Sequence, residues 1–511
     1  MNLLTEPWIP VRPLPTGQSE KITLQELLCR DGKWELCLPR DDMELAALQL
    51  LICMAQVFFT PKNVAELKKR IVAPVPPDAF ATGIAPYREW FRLDHPDFPF
   101  MQLRGVQAKE PTPMDKLLAG VTGATNSCFV NEPGLGNWLC GGCVAIALFN
   151  QASNAPSFGG GFKGSLRGGA PITTLVQGEH LRQTIWLNVL SFDKVMANFP
   201  WHNESKMQPP TWVEPIKAGD SISAQRIDLF RGLFWQPAHI ELLASGGDEQ
   251  FCCCCGGATT SFYTGFNKAK FNYTVSGLWP HPHGARTATV KKGERKERFL
   301  SFTTTAPAWT QLSRFVVQRE IDGKDEGQEP AAVIRQAQGL IRSLKLNAGG
   351  YRNNQASILE RRHESIFLND GWSNNTGAVH ELVGLALGYR DALNKALYVF
   401  FKGLKEVQGA KVKGSGVSVH EVAKEQFYRR SEDTVLDTLA NIDFSAPTPA
   451  LRAMREKLHR IAVELFEDGV RPYLNDPELV RTMAVSRKTL FKHLHALKPQ
   501  QDRRNDHGTQ G

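Results

Sequence analysis

Apolar positions follow two different rhythms along this chain. Through about residue 375 they come in short strand-like runs separated by Gly/Pro turns: TTLV (173–176), TIWLNVL (184–190), FNYTVSGLW (271–279) and RFLSFTT (298–304). Helices are predicted in the same region at Glu44–Val57 and Gly141–Gln151. Such a mixture points to an α+β body with many loops. After about Asn375 the period becomes helical. Leu382, Ala386, Tyr389, Leu393, Leu397, Phe400 and Leu404 recur at spacings of three and four. A linker, KVKGSG (411–416), follows, and SVHE (418–421) reads as a capping box opening a second helix to about Ile442. Leu451, Met454, Leu458, Ile461 and Leu465 mark a third helix with a stop at Gly469. Asp476-Pro477-Glu478 fits an N-cap with proline at the first position of a fourth helix, carrying Leu479, Met483, Leu490, Leu494 and Leu497. The predicted fold class is therefore α+β: an irregular mixed N-terminal body (1–375) followed by a C-terminal four-helix bundle (376–500) and a disordered polar tail (501–511).

Length agrees with this division, since 511 residues at about 150 per domain imply two to four units. Hydrophobic residues make up 42% and charged residues 22%, as in a globular protein, and the net charge of +8 is compatible with an anionic partner without identifying one. The start, MNLLTEPWIP, lacks the basic-then-apolar pattern of a signal peptide. LAALQLLICMAQVFF (45–59) is interrupted by Gln49 and Gln56 and falls short of the roughly 20 apolar residues of a spanning helix, so a buried helix is predicted. The expected compartment is a reducing cytoplasm, where clustered cysteines favour metal over disulfides. The fourth C-terminal helix carries Arg481, Arg487, Lys488, Lys492 and Lys498. A solvated face is the simpler account of these charges, and a phosphate track the sharper one.

Two cysteine groups carry the most specific chemistry. LCGGC (139–143) holds Cys140 and Cys143, and FCCCCGG (251–257) offers the same spacing in Cys252 and Cys255. Two Cys-x-x-Cys pairs match a closed, structural four-sulfur zinc site that would tie distant segments together. Cys253 and Cys254 are spare in this scheme, although spacing leaves open which two of the four ligate. Metal-free thiols are one alternative. Another is a catalytic zinc centre of the deaminase kind, with His239-Ile-Glu241 supplying the proton shuttle Glu241, although Phe251 stands where a proline is needed. His281 and His283 in WPHPHG are weaker ligand candidates.

Glycine is dense in SFGGGFKGSLRGG (157–169), without the Gly-Lys-Ser/Thr of a P-loop. The segment is either a flexible loop or backbone shaped to enter a nucleic-acid groove. GGYRNNQA (349–356) predicts a tight turn with an exposed Asn-Asn-Gln tip. Lys268, Lys270, Lys291, Lys292, Arg295, Lys296 and Arg298 lie between the two and suit phosphate or solvent equally. No Ser/His/Asp order or carboxylate pair stands out.

Seven longer blocks point further: NLLTEPWIPVRP (2–13), LPRDDMELAAL (38–48), LLAGVTGATN (117–126), LCGGC with AIALFNQA (139–152), RGLFWQPAHIEL (231–242), GLWPHPH (277–283) and GGYRNNQASILERRH (349–363). In these blocks the chain resembles the large-subunit (CasA) family of Cascade, the type I-E CRISPR RNA-guided surveillance complex. The resemblance implies a non-catalytic subunit that recognises the protospacer-adjacent motif (PAM) in double-stranded DNA, largely from the minor groove. It further implies help in opening the duplex and in recruiting a helicase-nuclease, with CRISPR RNA and other Cascade subunits as partners. The family's glycine loop falls on Ser157, Phe158, Gly159, Gly160 and Gly161, with Ser157 where the family carries glycine. Its DNA-contacting lysine falls on Lys270, and its wedge on Asn354, Gln355 and Ala356. A basic pair guiding the displaced strand falls on Lys291 and Lys292, and a guide-stacking residue on Phe129. Zinc ligation would fall on Cys140, Cys143, Cys252 and Cys255. The other classes kept open are the zinc deaminase and a general RNA-binding scaffold.

Overall fold

The computed structural model describes residues 1–121, 134–203, 207–322, 326–408 and 418–498. It is α+β, as the two rhythms predict, and divides into two compact units. The first comprises Met1–Thr304, Arg314–Ile341 and Lys345–Ser365, and the second Thr305–Ser313, Arg342–Leu344 and Ile366–Gly511.

The first unit is built on two helices whose positions are apolar on nearly every side. Asp41–Phe58 is buried over most of its length, including Gln49 and Gln56, and it packs against Gly141–Ser153, which is buried throughout. A helix without a polar face has to lie inside. Gln56 is satisfied: it donates to the Leu190 carbonyl at 3.1 Å and accepts from its N–H at 2.7 Å.

Small sheets surround these helices. A long antiparallel hairpin pairs His239–Phe251 with Ala258–Ala269, and the second strand also pairs with Thr112–Pro113 and with Leu139–Cys140. A second sheet places Leu344–Asn354 between Thr173–Val176 and Ser357–Leu368. A third places Arg286–Lys291 between Glu294–Phe299 and Gly327–Glu329.

Three local predictions are corrected here. TIWLNVL is largely helical, Leu181–Leu187, opened by His180, whose ring accepts from the Gln183 N–H. A segment buried on all sides has no period by which to tell helix from strand. FNYTVSGLW contributes only the strand Thr274–Ser276. Gly349 and Gly350 are strand residues, not turn residues. A Cβ on Gly350 would lie 2.8 Å from the Pro171 carbonyl oxygen, so glycine is needed for close approach.

Tyr351 follows at once and anchors this strand. Its buried hydroxyl donates to Asp42 at 2.9 Å and accepts from Asn150 at 2.6 Å, while Arg40 pairs with Asp42 at 2.7 Å. Burial, then the Asp42 charge, holds the phenol well above its ordinary value. Tyr351→Phe leaves Asp42 and Asn150 each short of a partner. We expect it to cost about 1–3 kcal/mol, read as a lower denaturant midpoint with an unchanged slope.

Glu44, on the buried helix, is pushed up to about 7 by burial, with Glu35 and Asp41 adding repulsion. A carboxyl with a raised folded-state value stabilises fully below its unfolded value of about 4.3, and that stability is lost as pH rises through about 7. Glu44→Gln is therefore expected to raise the melting temperature at about pH 8 and leave it unchanged at about pH 4.

The second unit contains four long helices: Thr376–Gln408, Val419–Asn441, Thr448–Val470 and Val480–Ala496. The first packs against the other three, and the second against the third. Leu382, Ala386, Leu393, Leu397 and Phe400 are fully buried, as the period requires. Helix ends depart from prediction. Ser418 makes no side-chain cap bond. The third helix runs through Gly469, where a Cβ would meet Leu397 and Val419 at 3.2 Å, so this glycine serves packing rather than termination. Asp476 caps a short 3-10 turn, Pro477–Leu479, ahead of the fourth helix. The linker (411–416) and the tail (501–511) lie outside the described residues. Among the described residues, no helix is long and apolar enough to cross a membrane.

Candidate nucleic-acid interface and metal centre

The four cysteines meet at the tip of the long hairpin. Cys140 stands at the N-cap position of the helix Gly141–Ser153, and Cys143 lies in its first turn. Cys252 and Cys255 occupy the turn joining the hairpin strands. That turn is closed by Cys252 N–H to the Gly257 carbonyl and Gly256 N–H to the Cys252 carbonyl, both at 2.9 Å. Strand pairing of Cys140 with Phe262 brings the segments together, and Trp138 Nε1 donates to the Phe251 carbonyl at 2.8 Å.

All four sulfurs lie within 4.8 Å of one another. A tetrahedral ion with metal–sulfur bonds of about 2.3 Å separates its sulfurs by about 3.8 Å, and Cys140 Sγ and Cys255 Sγ are 3.8 Å apart. The donor set thus fits a small thiophilic cation. Hydrogen bonds from Cys143 and Cys252 push the Cys140 thiol down to about 6, and bonds from Cys140 and Cys143 push Cys255 lower still, while bonding to Cys140 pushes Cys143 and Cys252 up. The backbone N–H of Cys140 donates to Cys252 Sγ at 3.3 Å. Lys21, which no spacing in the sequence connects to the cluster, donates to Cys140 Sγ at 3.2 Å. Burial opposes its charge, but the Cys140 and Cys255 thiolates raise its affinity for the proton on balance. Cys253 is half-buried and Cys254 buried, and neither belongs to the four-sulfur group.

Glu241 lies near the other end of the same hairpin, paired with Asn267, whereas Phe251 pairs with Ala258 at the cysteine end. Cys140 pairs with Phe262, five positions along the strand from Asn267, so at about 3.3 Å per residue Glu241 lies roughly 16 Å from the cluster, too far for a shared His/Glu/Cys/Cys centre. Glu241 instead accepts from the Val106 N–H at 2.9 Å, and His239 stacks on Phe271. His281 and His283 are buried in the core. His281 Nδ1 accepts from the His283 N–H at 3.1 Å. Burial pushes both rings down, His283 to about 3, so they are neutral.

A second constellation lies on the body of the first unit. Gly159, Gly160 and Gly161 have φ values of +75°, +55° and +90°, a run that side-chain-bearing residues rarely adopt. The loop closes through Phe162 N–H to the Gly159 carbonyl at 3.0 Å, with Ser157 Oγ accepting from the Gly159 N–H at 3.4 Å. Lys270, exposed at the end of the long hairpin, donates to the Gly160 carbonyl at 3.1 Å. A Cβ on Gly159 would lie 3.1 Å from the Ala356 Cβ. Glycine loop, lysine and hairpin tip are therefore neighbours, although sequence places them over a span of two hundred residues.

The tip itself is a two-residue turn, Gln355–Ala356, between Leu344–Asn354 and Ser357–Leu368. Gln355 has φ +54°, and Asn353 Nδ2 donates to its carbonyl at 2.6 Å, leaving Asn354 and Gln355 exposed. A groove of about 780 Å³ runs beside the loop, lined by Gln107, Lys109, Thr112, Phe162, Lys268 and Lys270. Lys109 leaves no signal in the sequence, since an isolated surface lysine carries no pattern. Lys291 and Lys292 sit on a different hairpin, at its turn, where Lys292 (φ +54°) and Gly293 (φ +80°) have the two positive angles of a tight turn. Phe129 lies outside the described residues. On the fourth C-terminal helix, Arg487 is ion-paired with Glu467, which takes it out of a free phosphate track.

The fold that carries these sites, an α+β body with a helical C-terminal unit, is shared with solved CRISPR-associated subunits. The crystal structure of Thermobifida fusca Cse1 matches with a TM-score of 0.72 at 19% identity, covering 98% of this chain and 99% of that one. Thermus thermophilus CasA (Cse1) matches at 0.69 and 17% identity, covering 96% and 99%. A chain of a CRISPR RNA-guided surveillance complex matches at 0.67 and 16% identity, covering 96% and 99%. A curated relative, CRISPR-associated protein CasA/Cse1 of Thermus thermophilus, is 26% identical over 233 residues, a stretch spanning 43% of this chain and 43% of that protein. The family model for CRISPR-associated protein Cse1 matches residues 2–465, and the chain belongs to that family.

Proposed function

We propose that this chain is the large, non-catalytic subunit of a Cascade-type CRISPR RNA-guided surveillance complex. In this role it works in the cytoplasm with CRISPR RNA and the other Cascade subunits. It recognises the PAM in double-stranded DNA, promotes duplex opening, and helps recruit a separate helicase-nuclease. The observation that carries the proposal is the convergence of the Gly159–Gly161 backbone, Lys270 and the Gln355 tip on one surface of a Cse1-family chain.

The physics suits the task. The minor groove displays a degenerate pattern, so a bare backbone and one lysine accept several related motifs. Unstacking a base step costs a few kcal/mol, roughly, which a wedge such as Asn354–Gln355 has to offset by filling the gap. Pairing of the guide then nearly balances the duplex lost, so modest protein contacts tip the exchange. Lys291 and Lys292 would neutralise phosphates of the displaced strand, and Phe129 would stack on the guide's handle.

Zinc held by Cys140, Cys143, Cys252 and Cys255 would act as a structural staple. It would supply a closed tetrahedral crosslink and no open position for chemistry.

The test is target binding by the assembled complex, with and without this chain, over a library of flanking motifs. Motif preference that appears only when the chain is present supports the proposal. A general RNA-binding scaffold predicts no flanking preference, and that result would overturn it.

A further inference from the structure

Lys268 lies in the strand Ala258–Ala269, and Lys270 lies just beyond its end. Their surroundings differ. Lys270 is exposed and reaches the Gly160 carbonyl. Lys268 is half-buried, with its ammonium 4.5 Å from the centroid of Phe158, 5.6 Å from Phe162 and 5.9 Å from Phe266. The rings pack on one another as well: Phe158 lies 5.5 Å from Phe162, edge to face, and 5.7 Å from Phe266. Phe158 and Phe162 are the residues that bracket the three positive-φ glycines. One cation thus sits among three rings, two of which are the two ends of the glycine loop.

Three successive glycines have many accessible backbone states, and a loop that must enter a groove loses affinity for each state it has to abandon on binding. The backbone bonds of the loop are few, and the Lys270 bond to Gly160 is given up when Lys270 turns toward a ligand. The aromatic contact to Lys268 is independent of that turn. Burial, followed by repulsion from Lys116, lowers the proton affinity of Lys268, which marks an ammonium partly withdrawn from water. Cation–π attraction is strongest where the cation is desolvated.

We propose that Lys268 is a positioning residue that holds the glycine loop in its duplex-reading conformation through the faces of Phe158 and Phe162, without itself neutralising a DNA phosphate. The inference rests on the glycine loop being the duplex-contacting surface. Lys268 also borders the groove it shares with Lys109 and Lys270, so direct phosphate contact is the competing role, and salt dependence separates the two. Each phosphate neutralised contributes about 0.9 to the slope of log affinity against log salt.

The experiment measures duplex-target affinity of the assembled complex over a salt series for wild type, Lys268→Met, Lys268→Arg and Gly160→Val. Methionine keeps the apolar stem and removes only the charge. Lys268→Met should bind about tenfold more weakly with an unchanged salt slope. It should bind a pre-opened target as wild type does. Lys268→Arg, which stacks on rings equally well, should restore affinity to within about twofold. A slope reduced by about one in Lys268→Met would assign a phosphate contact and overturn the proposal. Wild-type affinity in Lys268→Met alongside a defect in Gly160→Val would also overturn it while leaving the loop's role intact. Wild-type affinity in both variants would overturn the loop as the duplex surface.

Discussion

Loss of metal from the four-cysteine cluster is expected to lower the melting temperature of the first unit by about 5 °C. The size follows from topology. The cluster joins Cys140 to a turn 112 positions away, and a crosslink closing a loop of that length removes about 4–5 kcal/mol of chain entropy from the unfolded state. At about 1–1.5 °C per kcal/mol for a unit of roughly 350 residues, the shift is readily measured. Without a cation, packed thiolates repel or must take up protons, which adds to the loss. Cys140→Ser and Cys252→Ser should each contain no zinc by elemental analysis and melt early, whereas Cys253→Ser, outside the four-sulfur group, should keep roughly one equivalent. Undiminished zinc in both cluster variants would sink the shared site. Because the strand Leu139–Cys140 pairs with the long hairpin, protection of hairpin amides from exchange should fall with zinc content.

The second large effect is expected on target opening. Gln355→Ala in the assembled complex should weaken binding to a duplex target by about ten- to a hundredfold, as expected if a wedge offsets a few kcal/mol of unstacking. Binding to a target already open at the same position should change little. Lys270→Ala should show the same discrimination at smaller size. Gly160→Ala isolates the loop from the fold: its Cβ would meet nothing within 4 Å inside the chain, so the folded state bears only the strain of a left-handed backbone, about 1 kcal/mol. A duplex-binding defect much larger than that would come from the groove side. Equal losses on duplex and pre-opened targets would refute the wedge role of Gln355, because only the former requires strand separation.

The fold class was legible because amphipathic period is local. Leu382 through Leu404 announce a helix with one buried face, and the burial follows that stripe. Where a segment is buried all round, as at Leu181–Leu187, the period vanishes, and helix and strand read alike. Glycine was misread for a related reason. Gly349–Gly350 and Gly469 look like turn and stop signals, but the space they leave is filled by Leu45 and the Pro171 carbonyl, or by Leu397 and Val419, from elsewhere in the chain.

The sequence by itself determined the α+β class, the four C-terminal helices, the spacing of each cysteine pair and the blocks that mark the family. Each of these is carried within a window of one element or one motif, where backbone geometry and side-chain pattern act directly. Only the tertiary structure decided that Cys140 and Cys255, 115 positions apart, lie at tetrahedral spacing, with Lys21 against them. Only it decided that Gly159 touches Ala356, and that of two neighbouring lysines one faces solvent while the other is enclosed by three rings. Those juxtapositions come from strand pairing and packing between remote segments, whose partners are chosen by the burial of the whole chain and leave no local trace.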